Sequence, residues 1–262
     1  MCTLIVALGV WPELPLVVAA NRDESLTRPT AEPRLWPAGE VAARRVLAPR
    51  DLLAGGTWLG LNDAGLFVGI TNRRSLVVDE SRRSRGELVF AALGAEDHQA
   101  ARARILERDP RDYNPFHLLF ADRSGAAVVW GDGERFHELA LGPGVHWLTE
   151  RSFGAAESQR HALLAKLAQR LPAGPPPTVE GWRSILADHR PYQPPGERPP
   201  PGSVGLDALC VHAEPLDYGT RSSTLVMLGR EHGEVRFLHA SGRPCEAAFV
   251  EYDEAARALS AG

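Results

Sequence analysis

Lysine is nearly missing from this chain of 262 residues: of its 29 basic residues only Lys166 is a lysine. Alongside many Ala, Gly and Pro, that bias looks like GC-rich coding rather than an arginine-built binding surface. Acidic residues outnumber basic ones and the formal net charge is −4, so no cationic excess points to nucleic acid or an anionic membrane. Cysteine is scarce too. Cys2, Cys210 and Cys245 form no CxxC or Cys/His ligand spacing, which argues against a structural zinc motif, and their odd number argues against a disulfide framework. Long apolar runs are also absent. Residues 1–20 are apolar but lack a basic leader, and Trp11-Pro12-Glu13-Leu14-Pro15 interrupts them with a charge and two prolines. Neither a secretory signal nor a spanning helix fits that pattern. The expected setting is the cytoplasm, with no integral membrane segment and no nucleic-acid partner.

What is present is a globular composition, 44% apolar and 24% charged, over a length that suits one large domain or two small ones. No internal repeat or clean linker divides the chain, so residues 1–262 read as a single domain. Strands are expected at 3–8 and 16–20, both near-continuous apolar runs of the kind covered on both faces. A proline-broken connection follows to residue 50. Two further strands, 56–61 and 66–71, flank the turn Asn62-Asp63-Ala64-Gly65, and 73–85 is an arginine-rich loop. Helices are expected at 88–93, 96–108, 155–171 and 179–189. Strands are expected at 116–121, 126–130 and 146–148 and again within 208–252, with a proline-rich connection at 191–202. Strands at both ends with helices between them suggest two packed sheets flanked by helices.

Cys2 raises the chemical question. Removal of Met1 would leave a thiol and a free α-amine on one carbon. A cysteine attacks as thiolate, from an ordinary pKa of about 8.5. An α-amine titrates near 7.7–8.0, and on the same residue it could take the thiol proton directly or through a water. If Met1 stays, Cys2 is a small hydrophobe at the start of a core strand.

Several segments bear on that choice. Asn21-Arg22-Asp23-Glu24 ends the second strand. Gly55-Gly56-Thr57-Trp58-Leu59-Gly60 leads into the hairpin that closes on Thr71-Asn72-Arg73, and Ser84-Arg85-Gly86 follows. Near the other end stand Cys210-Val211-His212 and Tyr218-Gly219-Thr220-Arg221-Ser222-Ser223-Thr224. In this order and spacing the set resembles the NRDE family, also called the transport and Golgi organisation protein 2 family, over most of the chain. More distantly, Cys2-Thr3, Asn21 with Asp23, the 60–66 hairpin and Asn72 resemble the cysteine N-terminal-nucleophile hydrolases typified by penicillin V acylase and bile salt hydrolase. This resemblance implies an α+β fold, a four-layer αββα sandwich of two packed antiparallel sheets. It also implies hydrolysis of a non-peptide amide or a thioester.

The resemblance assigns Cys2 as nucleophile, with its own amine as base. Asp23 would hold that amine by a charge-assisted hydrogen bond. Arg22 would lower the thiol pKa or bind a substrate carbonyl or carboxylate, and Asn72 would stabilise the oxyanion. Asn21, Arg221 and Glu150 are substrate-binding candidates, Arg221 being either an ion-pair partner of Asp23 or Glu24 or an anion-binding residue. One position departs from the acylases, which carry a second asparagine after a Leu-Thr strand end; this chain reads Leu148-Thr149-Glu150, and a carboxylate donates no hydrogen bond unless protonated. The implied partner is a small acyl or amide substrate, with no cofactor and no metal. The resemblance to the NRDE family also implies a non-catalytic alternative, in which the same pocket handles haem or an acyl lipid such as acyl-CoA.

Other residues read as structural. Glu24 suits a strand-end salt bridge, Gly55 and Gly56 suit demanding backbone geometry, and Trp58 suits the core. Cys210 and His212 share a strand face, but two ligands without a third read as packing. Intact-mass measurement tests the premise for Cys2: the expected mass is that of a chain lacking one methionine, and full retention of Met1 removes the amine from the mechanism.

Overall fold

The structure, a computed structural model, describes residues 2–155, 159–190 and 205–261. Met1 and the proline-rich 191–202 connection therefore lie outside the described residues, as does the start of the helix expected at 155–171. The chain runs through β1 (Thr3–Trp11), β2 (Leu14–Ser25), β3 (Thr30–Trp36), β4 (Val46–Asp51), β5 (Leu59–Asn62) and β6 (Phe67–Asn72). Next come α1 (Gly86–Leu93), α2 (His98–Leu106), β7 (Phe116–Ala121), β8 (Ala126–Gly131), β9 (Phe136–Leu141) and β10 (Gly144–Leu148). The last part contains α3 (Gln159–Arg170), α4 (Val179–Leu186), β11 (His212–Ala213), β12 (Tyr218–Leu228), β13 (Val235–Ala240), β14 (Val250–Glu251) and α5 (Asp253–Ser260).

These strands form two antiparallel sheets. One has the order β10-β1-β2-β12-β13-β14, with β11 paired to β12, and the other is a meander from β3 to β9. The alternation of side chains along β1 shows why its apolar run is unbroken. Leu4, Val6 and Leu8 enter the core between the sheets, against Leu61, Phe67 and Leu119. Ile5 and Ala7 point the other way, into a core with Leu164 of α3 and Trp182 and Leu186 of α4. Val46, Val68, Leu118 and Phe120 of the second sheet likewise pack outward against Leu88, Val89 and Leu93 of α1 and Ala101 and Ile105 of α2. The result is the αββα sandwich.

Stretches read from sequence as connection or strand fold differently. Residues 30–36 and 46–51, within the proline-broken connection, are β3 and β4. Their pairing jumps from Ala31–Arg50 to Arg34–Ala48, so Pro33 and Pro49 both fall in the irregularity, where no ladder donor is required. β9, on an edge, was not anticipated, and neither was α5. That helix drops Ala256 and Leu259 between the sheets, and Arg45 donates to its last carbonyls, those of Ala258 and Leu259. The expected 62–65 turn is present. Asn62 Oδ1 accepts from the amides of Ala64 and Leu66 while its Nδ2 donates to the carbonyls of Leu93 and Ala95. One side chain thereby closes the hairpin and staples it to the end of α1.

Trp182 is fully buried and meets Trp11 edge-on, with centroids 6.4 Å apart. Trp182→Ala is expected to cost about 3–5 kcal/mol, read as a lowered denaturation midpoint with an unchanged denaturant slope.

Candidate active site

Cys2 immediately precedes β1, whose Thr3 pairs with Asn21 of β2, so the thiol is brought beside the charged end of β2. Its Sγ lies 3.9 Å from the carbonyl oxygen of Asp23, the long limit for a thiol donor. The side chain is half-buried on the wall of a cleft of about 510 Å³ that is also lined by Arg22, Asp23, Asn72 and Arg85. Burial pushes the thiol above its ordinary pKa; the charge of Asp23 adds to the rise and that of Arg22 opposes it. At neutral pH the thiol is therefore protonated and needs a base before it can attack.

Asp23 is held from behind the cleft. Its Oδ1 accepts from the Thr220 hydroxyl at 2.7 Å, and its Oδ2 is 3.5 Å from Nη1 of Arg160. Arg160 is only 1% exposed. Its Nη1 also donates to the Thr3 hydroxyl at 3.0 Å, Nη2 donates to the Leu206 carbonyl, and Glu150 Oε2 stands 4.0 Å away. Burial raises the Asp23 carboxyl pKa, while Arg160 and the Thr220 hydrogen bond resist that rise.

Arg22 reaches along the other wall. Its guanidinium sits over the Trp58 ring, 4.1 Å from the centroid, with Nη2 3.1 Å from Asp51 Oδ2. Asp51 organises this wall: Arg28 donates to the same oxygen at 2.7 Å, and Oδ1 accepts from the amides of Leu53 and Ala54. Burial alone would raise the Asp51 carboxyl, but these donors and charges hold it below the usual carboxylate range. Nη1 of Arg22 is buried with no hydrogen-bond partner among the described residues, which leaves one donor open near the thiol.

Asn72 ends β6 with its side chain exposed on the cleft wall. Arg85 arrives from the loop before α1; burial lowers its pKa, and the charges of Cys2 and Glu24 oppose that drop. It comes close because two glycines cross there. A Cβ on Gly56 would stand 2.6 Å from the backbone carbon of Gly86, so only glycine permits the approach. Arg85 donates to the Pro115 carbonyl at 3.2 Å, and among the described residues no carboxylate lies within ion-pair distance. From sequence, Ser84-Arg85-Gly86 stands out as a motif but gives Arg85 no role, and Arg160 does not stand out at all. The available signal was an arginine on the apolar stripe of a helix, in line with Leu164, Leu167 and Leu171.

The three substrate-binding candidates lie elsewhere. The Asn21 amide donates to the carbonyls of Leu186 and Leu209 and accepts from the Ser223 hydroxyl, so all its polar atoms serve the fold. Glu150 is buried beside Arg151 and Arg160, with its carbonyl accepting from the Arg74 amide at 2.7 Å. Arg221 is the extra residue of a bulge between Thr220 and Ser222. Its guanidinium donates to the carbonyls of Leu26 and Arg28 rather than pairing with Asp23 or Glu24, and it faces a neighbouring cleft of about 450 Å³. Cys210 and His212 are not alone, because folding brings His189 and Cys245 to the same point. Those partners are too distant in sequence for any spacing rule to have found them.

Residues 1–241 match the profile of the family described as Transport and Golgi organisation 2. The Transport and Golgi organization protein 2 homologs of Bos taurus and Homo sapiens are 28% and 27% identical over 261 and 247 residues, covering 86% of this chain and 86% of each relative. Among solved structures, a mutant conjugated bile acid hydrolase from Clostridium perfringens superposes with a TM-score of 0.51 at 10% identity, covering 97% of this chain and 93% of that one. An N-acylethanolamine-hydrolyzing acid amidase ortholog from Caenorhabditis elegans also gives 0.51 at 10% identity, over 86% and 92%. At such identities these two structures speak for the fold alone.

Arg160→Met would strand two buried carboxyls, at an expected cost of about 3–5 kcal/mol at neutral pH. The sign of the pH effect follows from Asp23. Its raised native pKa means that its contribution is complete below the unfolded carboxylate range and is lost as pH rises through the native value. Without Arg160 that loss grows, so urea melts should show a smaller Arg160→Met deficit in mild acid than at pH 7.

Proposed function

The chain belongs to the transport and Golgi organisation 2 family, and from its fold and its cleft we propose a cysteine N-terminal-nucleophile hydrolase that cleaves a non-peptide amide or a thioester. The observation that carries this reading is a partly exposed thiol on a cleft wall, flanked by Asp23 and by the open donor of Arg22. The hydrolase and the amidase named among its fold neighbours are in keeping with this reading, since both are built on the same fold.

In the proposed cycle, loss of Met1 frees the Cys2 α-amine, and Asp23 holds it. The amine takes the thiol proton, and Sγ attacks the substrate carbonyl carbon. The Asn72 amide donates to the oxyanion, and loss of one such donor typically costs about 10²–10³ in rate. Collapse of the tetrahedral adduct breaks the C–N or C–S bond, and the ammonium returns its proton to the leaving amine or thiol. A water deprotonated by the same amine then hydrolyses the acyl-Cys2 intermediate.

Arg28, Arg82 and Arg83 on the cleft are already paired, with Asp51, Asp79 and Glu87 respectively. Among the described residues, Arg85 and Nη1 of Arg22 are the cationic donors on the cleft left for substrate. They favour an acyl substrate that carries a carboxylate or another anionic group.

Iodoacetamide labelling and a turnover screen of acyl amides and thioesters test the proposal together. Cys2 should be alkylated faster than Cys210 or Cys245. Its rate should climb steadily into alkaline solution, since burial raises the thiol pKa. Cys2→Ala should abolish turnover, while Arg85→Met should raise KM most for anionic substrates. Turnover that survives Cys2→Ala overturns the reading. If no acyl substrate is turned over, and haem or acyl-CoA binds wild type and Cys2→Ala equally, the cleft is a binding pocket.

A further inference from the structure

Away from the Cys2 cleft, four side chains from three separate segments converge. His189 follows α4, Cys210 and His212 flank Val211 at the start of β11, and Cys245 lies in the connection between β13 and β14. Their ligand atoms all fall within 4.8 Å of one another. The two sulfurs are 3.6 Å apart, the His189 and His212 Nε2 atoms are 3.1 Å apart, and His212 Nε2 lies 3.3 Å from the Cys245 sulfur and 3.7 Å from that of Cys210.

Those separations can be compared with a coordination shell. A tetrahedral ion with Zn–S of about 2.3 Å and Zn–N of about 2.0–2.1 Å puts sulfurs about 3.8 Å apart, nitrogens about 3.3 Å apart, and sulfur about 3.6 Å from nitrogen. These four separations lie within a few tenths of an ångström of the matching edges, and the two from His189 to the sulfurs fall within 4.8 Å. We propose that His189, Cys210, His212 and Cys245 form a tetrahedral site for a zinc-type transition-metal ion.

The surroundings suit such a site. The Cys210 amide donates to the Asp188 carbonyl at 2.9 Å, and Arg183 donates to the Pro244 carbonyl at 3.1 Å. The three segments are thereby brought together by contacts that need no ion. His212 Nδ1 stands 3.5 Å from the Glu214 carboxylate, which Arg243 in turn holds at 2.6 Å. A carboxylate on the far nitrogen of a ligating imidazole fixes the ring and raises its basicity. A cleft of about 410 Å³ lined by His189, Gly205, Cys210 and His212 provides access. Binding exchanges the two thiol protons for one dication, so the loaded site is neutral. With all four positions supplied by protein the ion is structural, pinning the connections around β11 to the sheet edge at β13–β14.

The test uses the full chain, purified under reducing conditions, loaded with zinc and freed of excess by gel filtration. Elemental analysis should find about one zinc per chain in wild type and Cys2→Ala, and none in the Cys210→Ser, Cys245→Ser double variant. His189→Ala alters only an exposed ligand, so it should keep the wild-type circular dichroism while losing at least about tenfold in cobalt(II) affinity. Cobalt(II) in wild type should give the intense visible bands of a tetrahedral centre together with thiolate charge transfer. The proposal is overturned if reduced wild type retains no zinc, if the serine variant retains as much as wild type, or if cobalt shows only weak octahedral bands. A Cys210–Cys245 disulfide that persists in the reduced preparation would overturn it equally.

Discussion

One buried guanidinium holds together the end of the sheet that carries the nucleophile candidate. Arg160 reaches from α3 to Thr3 on β1, Asp23 on β2 and the Leu206 carbonyl, with Glu150, just past β10, 4.0 Å away. Taking a cation out of water is costly unless partners replace its hydration. Here the partners come from different strands, so the charge is satisfied only when those strands are in register. A one-residue slip would turn Asp23 to the opposite face of the sheet. The same registry brings the Asp23 carbonyl to the Cys2 thiol.

The cleft in front of that cluster is organised by a second shared carboxylate. Asp51 collects two arginines and two amides, which fixes Arg22 against Trp58. On the opposite lip, Gly56 and Gly86 pass so closely that side chains are excluded, and Arg85 follows from that contact. Most of the cleft's arginines are neutralised by neighbours, which is consistent with a chain of net charge −4. The field at the thiol is therefore set by a few uncompensated groups rather than by bulk charge.

Much of the fold could be read from pattern. The apolar runs in β1 and β2 were legible because both faces of their sheet are covered, so no polar alternation interrupts them. The 62–65 turn was legible because Asn62 and Gly65 are residues that such a turn requires, Gly65 having φ of +82°. β3 and β4 were not, because Pro33 and Pro49 are strand breakers that happen to share one irregularity in the ladder. In the candidate site, Cys2, Arg22, Asp23 and Asn72 were legible as a set and do line one cleft. Asn21 was legible as important, but its amide serves three hydrogen bonds within the fold.

By itself the sequence determined most of the segments that form the core and where the candidate nucleophile stands, since burial pattern, turn chemistry and the position of Cys2 are local properties. It also determined that the thiol and an α-amine would share one carbon if Met1 is lost. Only the tertiary structure decided which charges meet. The pairing of Arg160 with Asp23 spans 137 residues by number (160 − 23), and Cys245 comes to Cys210 across 35. Electrostatic and coordination contacts depend on distances of a few ångströms in space, and no local periodicity encodes those distances.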